Sequence, residues 1–275
     1  MMRPTRGVLP VPRATCRFLK PSSGGSSGPC RPSELRAQVA KPQPFAEPTM
    51  TMPHHTRADV ARQLDHAVLR PSQTDRDLAA AISMCLARSV GCLCVRPVDV
   101  AGATRLIDGG PLRVASVVGF PHGSHHPEIK VAEAARAIEE GAAELDMVMQ
   151  IPAFLSGHRK QVGADIAAVV GEAKPAGVLV KVILETCLLT LDEVADACLI
   201  AEEAGADFVK TSTGFAEHGA TLEAVTAMLE ATGGRIGVKA SGGIRDWATA
   251  CHYLDMGCTR LGVGDAAAIL DGGSD

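Results

Sequence analysis

Aromatic residues are scarce in this chain: six Phe, one Trp and one Tyr in 275 residues. A single-strand nucleic-acid platform stacks bases on exposed aromatics within a basic groove. Neither ingredient is present, because the formal net charge is −4. Long hydrophobic runs are lacking as well. No stretch approaches the roughly 18 apolar residues of a membrane-spanning helix, and Lys181 breaks the most apolar segment. No Cys-x-x-Cys pair occurs among the nine cysteines. Their odd number and their scatter from Cys16 to Cys258 read as buried small hydrophobes in a reducing compartment, not a disulfide framework or a zinc site. Cys92 and Cys94, with one residue between them, are expected on opposite faces of a strand.

What is present divides unevenly. Residues 1–50 hold eight Lys and Arg against two acids, a balance of +6, while residues 51–275 hold 19 basic against 29 acidic residues, a balance of −10. Ten of the 17 prolines fall within residues 1–53, beside the run Ser22-Ser23-Gly24-Gly25-Ser26-Ser27-Gly28. No apolar period survives there, so the segment does not offset its own ordering entropy. Residues 1–55 are therefore expected to be a disordered extension, or sequence upstream of a start at Met50 or Met52. An organelle transit peptide shares the Arg- and Ser-rich, acid-poor composition, but the prolines spoil an amphipathic helix. No apolar core of a secretory signal is found. The expected location is the cytoplasm.

Residues 56–275 show a repeating order. A helix-period segment ends in glycine, and a short apolar run follows: Gly141 before Met147-Val148-Met149, Gly205 before Phe208-Val209, Gly257 before Leu261-Gly262-Val263. Each reads as a helix C-cap followed by a buried parallel strand. Eight strand candidates fall at 63–69, 92–96, 113–119, 144–150, 178–184, 207–211, 236–240 and 260–263. Alanine-rich helical segments at 128–140, 159–173, 190–204 and 221–231 lie between them. Eight such units predict an α/β fold, a closed (β/α)8 TIM barrel. A doubly wound open sheet is the runner-up, but no Gly-x-Gly-x-x-Gly turn follows the first strand candidate.

A barrel of this kind carries its site at the C-terminal ends of the strands. Three lysines interrupt apolar strand segments there: Lys181, Lys210 and Lys239. Lysine is rarely buried without compensation. Asp146 and Glu185 are expected at matching positions of two neighbouring strands, within the same polar cluster. A free amine attacks carbonyls, yet an ordinary lysine is protonated at neutral pH. A second cation nearby frees the nucleophile. Lys210 and Lys239 are thus one nucleophile and one activator, and the pattern alone leaves open which is which.

These segments resemble the deoxyribose-phosphate aldolases. The likeness is carried by Asp65-His66-Ala67-Val68-Leu69-Arg70-Pro71, Val117-Val118-Gly119-Phe120-Pro121-His122-Gly123, Glu144-Leu145-Asp146-Met147-Val148 and Lys181-Val182-Ile183-Leu184-Glu185-Thr186. Phe208-Val209-Lys210-Thr211-Ser212-Thr213-Gly214-Phe215 and Val238-Lys239-Ala240-Ser241-Gly242-Gly243-Ile244-Arg245 complete it. It spans about 59–270. The resemblance implies a class I aldolase without metal or organic cofactor. Such an enzyme interconverts 2-deoxyribose 5-phosphate with acetaldehyde and glyceraldehyde 3-phosphate. It implies Lys210 as the Schiff-base lysine, Lys239 as the neighbour that lowers its pKa, and Asp146 as a proton relay. Asp65 and Lys181 join the polar network, and Cys94 lines the mouth. Thr211, Gly214, Ser241, Gly242, Gly243, Gly262 and Gly264 are expected to bind substrate, the glycines by backbone N–H groups on the phosphate. The implied partners are small aldehydes and sugar phosphates, with no nucleic acid and no membrane, and a homodimer is compatible.

Three positions depart from the family pattern. Gly264-Asp265 stands where a Ser-Ser pair is usual, Glu217-His218 replaces a glycine-rich turn, and Ala67 replaces a threonine. Asp265 is expected to cap the helix that follows, where its carboxylate competes with a phosphate. Two other readings follow: an aldolase paralogue with weakened phosphate recognition and a different or unphosphorylated acceptor, and a non-catalytic sugar-phosphate-binding paralogue. His122, His125 and His126 cluster near Glu128, but solvated loop histidines explain them better than a metal.

Overall fold

The computed structural model describes residues 55–273. The extension expected over 1–55 lies, except for its last residue, outside the described residues. Eight parallel strands close into one barrel in sequence order. They are β1 (Leu64–Val68), β2 (Cys92–Val95), β3 (Arg113–Val118), β4 (Glu144–Val148), β5 (Leu179–Ile183), β6 (Phe208–Lys210), β7 (Gly237–Ser241) and β8 (Arg260–Val263). The helices are α1 (Arg57–Gln63), α2 (Asp75–Ala87), α3 (Val100–Ile107), α4 (Pro127–Glu139), α5 (Ile151–Leu155), α6 (Arg159–Ala173), α7 (Leu191–Glu203), α8 (Leu222–Thr232), α9 (Trp247–Met256) and α10 (Ala266–Asp271). The expected (β/α)8 architecture is observed, and every expected strand lies within two residues of its observed bounds.

Local chemistry explains the boundaries. Thr56, Thr74 and Thr190 open α1, α2 and α7, each accepting from the backbone three residues on, while Asp59, Asp77 and Glu193 reach back to complete a capping box. Gly141, Gly205 and Gly257 adopt φ of +100°, +87° and +113° after their helices, a region that side chains disfavour.

Alternation along the strands builds two different interiors. One set of positions, including Leu93, Leu145, Val182, Val209, Val238 and Leu261, faces the helices and forms the main apolar core. Burying each such side chain contributes about 1.5–3 kcal/mol. The other set faces the barrel axis. Barrel axes are ordinarily packed with Val, Ile and Leu; here only Cys92, Cys94, Ala115 and Val117 form an apolar cluster, under β2 and β3. Cys92 and Cys94 therefore share a face, against the expectation of opposite ones. The strand period of two returns residue i+2 to the side of residue i. Asp65, Glu144, Asp146, Lys181, Lys210, Lys239 and Arg260 bring an ionic cluster to the same interior.

Candidate active site

Asp146 lies in mid-β4 with no exposed surface. Its Oδ2 accepts from Nζ of Lys210 and of Lys239, each at 2.7 Å, and its Oδ1 accepts from Lys181 Nζ at 2.8 Å. The strand register explains the convergence. Asp146 pairs with Lys181 across β4 and β5, and Lys210 pairs with Lys239 across β6 and β7. The expectation that Glu185 matches Asp146 is corrected by this register. Glu185 lies beyond the end of β5, where its φ of +56° turns the chain. Its carboxylate accepts from the Thr213 hydroxyl at 2.5 Å and from the Thr213 N–H at 3.2 Å.

The network continues downward. Lys239 donates to Asp65 as well as to Asp146, and Lys181 also contacts Glu144, with Asp65 at 3.6 Å. Arg260, at the start of β8, donates from Nε to Asp65 Oδ1 at 2.8 Å. The same guanidinium grips Glu144 through Nη1 at 3.1 Å and Nη2 at 3.0 Å. Arg113, half-exposed at the first position of β3, touches Glu144 at 3.2 Å. Glu144 and Arg260 were not among the expected site residues. The signal for them was available: each sits two residues before an axis-facing position, Asp146 or Gly262, so each faces the axis too.

Charge states follow from these contacts. Burial raises the Asp146 carboxyl, but Lys181, Lys210 and Lys239 outweigh it and hold the group well below the usual carboxylate range. Asp65 is held low in the same way, against its own burial, by Lys239, Lys181 and Arg260. Burial works against the charge on Lys181 and on Lys239, yet Asp146 and Asp65 hold both ammonium groups above the ordinary lysine value. The Cys94 thiol is pushed up to about 11, first by burial and then by Asp146.

A cavity of about 600 Å³ opens over the C-terminal ends of the strands. Lys210, Lys239, Asp65, Cys94, Gly214, Ser241, Gly242, Gly243, Gly262 and Gly264 line it. So do three residues absent from the expectation, Thr213, Arg70 and Arg245, and the departing residue Asp265. Asp146, Lys181 and Thr211 do not line it. Asp146 and Lys181 lie beneath the lysines, and the Thr211 hydroxyl donates to Ser241 O at 3.0 Å, tying β6 to β7. Gly262 is required by space: a Cβ there would stand 2.7 Å from Ser241 Cβ and 3.2 Å from Lys239 Cε. Asp265 caps α10 by accepting from Ala268 N–H at 3.0 Å. A second, mainly apolar cleft of about 450 Å³ adjoins and shares Thr213 and Phe215 as its wall.

Among the described residues, Asp65, Cys92 and Glu144 bring three metal-type ligand atoms together. Both carboxylates are already committed to Lys181, Lys239 and Arg260, and burial with two adjacent carboxylates holds the Cys92 thiol protonated. The set is an ion-pair cluster. His122, His125 and His126 do not converge on one another with Glu128. No helix among the described residues is long and apolar enough to cross a membrane.

The chain is similar to known proteins over most of its length. Residues 60–256 match a family model described as DeoC/LacD family aldolase. The chain is 49% identical over 222 residues to a deoxyribose-phosphate aldolase of Mycobacterium avium, covering 79% of this chain and 98% of that one. It is 45% identical over 218 residues to a deoxyribose-phosphate aldolase of Methanothermobacter thermautotrophicus, covering 79% and 96%. The deoxyribose phosphate aldolase of Aeropyrum pernix, whose structure is described as a tetramer, superposes with a TM-score of 0.74 at 32% identity, over 78% of this chain and 91% of that one.

Proposed function

The chain belongs to the DeoC/LacD family of aldolases and is a carbon–carbon lyase, and from that premise we propose that it cleaves 2-deoxyribose 5-phosphate reversibly through a Schiff base on Lys210. The observation that carries the assignment is a difference among the three lysines. Lys181 contacts three carboxylates, Lys239 two, and Lys210 only one among the described residues. Lys210 is therefore the lysine least tied to carboxylates, and it borders the cavity.

The chemistry follows from that arrangement. The neutral Lys210 amine adds to C1 of the open-chain sugar. Proton transfers through Asp146 and Lys239, both in contact with each other, release water and leave the protonated imine. The C2–C3 bond then breaks. Its electron pair moves toward the iminium to give an enamine, the C3 hydroxyl loses its proton, and glyceraldehyde 3-phosphate departs. Protonation of the enamine at C2 and return of water release acetaldehyde and regenerate the amine. The retained positive charge of Lys239 disfavours a second ammonium beside it.

The phosphate is assigned to the end of the cavity bounded by Gly242, Gly243 and Gly264, where Arg70 and Arg245 also line the wall. One observation supports a second reading. The Asp265 carboxylate lines the same cavity and already takes an N–H of α10, which weakens phosphate recognition and favours an unphosphorylated acceptor. Comparison of kcat/KM for 2-deoxyribose 5-phosphate and 2-deoxyribose separates them. A strong preference for the phosphorylated sugar is expected, and equal values would replace the first reading with the second. Borohydride with acetaldehyde is expected to trap an adduct on Lys210. No adduct anywhere would leave a binding protein.

A further inference from the structure

The barrel axis holds four buried cations, Lys181, Lys210, Lys239 and Arg260, against three buried carboxylates, Asp65, Glu144 and Asp146. Glu185, buried beyond the end of β5, adds a fourth carboxylate near Lys210. Arg260 adds one fixed positive charge to this cluster, and Lys210 is the lysine with the fewest carboxylate contacts among the described residues.

We propose that Arg260 is a positioning residue for the aldol reaction: by clamping Asp65 and Glu144 it fixes the carboxylates that hold Lys239 and Lys181 and sets the charge surrounding the reacting amine. The geometry suits that task. The guanidinium grips both carboxylates with four donated hydrogen bonds and does not itself line the cavity. It draws on the negative charge of Asp65, which also holds Lys239, and of Glu144, which also holds Lys181. Arginine keeps its charge at any pH at which the protein is folded, so the balance is fixed, whereas a lysine there would itself titrate.

The titratable groups that share the barrel interior with Lys210 come from every side of the axis. Asp146 and Glu144 come from β4, Lys181 from β5 with Glu185 beyond it, Lys239 from β7, Arg260 from β8, Asp65 from β1, and the thiols of Cys92 and Cys94 from β2. Strand β3 offers Ala115 and Val117, with Arg113 at its outer end. Removal of the Arg260 charge makes this surrounding more negative, which favours the charged form of the amines within it. Removal of the Glu144 charge does the opposite.

The test is the pH dependence of kcat/KM for the retro-aldol reaction in R260M, E144Q and the double variant. The acid limb is expected to move up by about half a unit or more in R260M and down by a similar amount in E144Q, less than the 1–3 units of a charge in direct contact. In the double variant it should return to the wild-type position. A merely structural role lowers activity by one factor at every pH and leaves the limb in place; that result, or a double variant displaced like R260M, overturns the proposal. If R260M does not fold, the nearly isosteric E144Q decides, since an unmoved limb there overturns it equally. The inference rests on Lys210 as the Schiff-base lysine, and borohydride trapping in the wild type checks that separately. Trapping elsewhere sinks the assignment, whereas trapping on Lys210 with an unmoved limb sinks only the role of Arg260.

Discussion

At the scale of single residues, the site is one carboxylate shared by three lysines. On the proposed mechanism, Lys210→Ala is expected to lower retro-aldol kcat by at least about 10³-fold, with loss of the borohydride adduct read by mass spectrometry. Its single ion pair makes it the most dispensable of the three for folding. Asp146→Asn leaves three ammonium groups around a neutral amide. It is expected to lower kcat by about 10²–10⁴-fold and to lower the thermal midpoint as well, because an uncompensated buried charge remains. The lysines were legible in the sequence because a charge inside an apolar strand is conspicuous. Arg260 and Glu144 were not singled out, because each opens its strand, where charged residues ordinarily meet solvent. Only counting by two from Gly262 and from Asp146 turns them inward.

Elements place these residues, and their bounds were largely readable. Glycine C-caps and short apolar runs located β4, β6 and β8 within two residues. What periodicity did not supply was register and reach. Glu185 looked like a strand residue matching Asp146, yet β5 ends at Ile183 and Glu185 turns in the left-handed region to hold Thr213. At α10 the sequence departure and the element coincide. Asp265→Ser keeps a side-chain cap and removes a carboxylate from the cavity, so KM for 2-deoxyribose 5-phosphate is expected to fall while KM for 2-deoxyribose stays unchanged. Steady-state kinetics on both sugars check this. Gly262→Ala places a methyl group against Ser241 and the Lys239 stem. It is expected to cost about 1–3 kcal/mol in denaturant unfolding and to displace the amine that neighbours Lys210.

The whole molecule inherits its pH range from the ionic axis. Asp65, Glu144 and Asp146 have folded-state pKa values below their ordinary ones. Their contribution to stability is complete above the unfolded carboxylate value, about 4, and is lost as pH falls through the folded values. Lys181 and Lys239 are displaced upward, so their contribution is complete below about 10.4 and is lost as pH rises through the folded values. Urea unfolding midpoints are expected to fall as pH drops below about 4 and as it rises above about 10.4. The alternation of helices and strands pointed to a barrel but not to this interior, since neither that order nor net charge says which charges face inward. The axis also ties chemistry to closure. Asp65 and Arg260 are separated by 195 residues and meet only when β1 pairs with β8. A half-barrel therefore exposes unmatched charges on the surface it would have to bury, and gains nothing by collapsing early. Completion of the ring and assembly of the lysine–carboxylate cluster are therefore linked through one contact, that of Asp65 with Arg260.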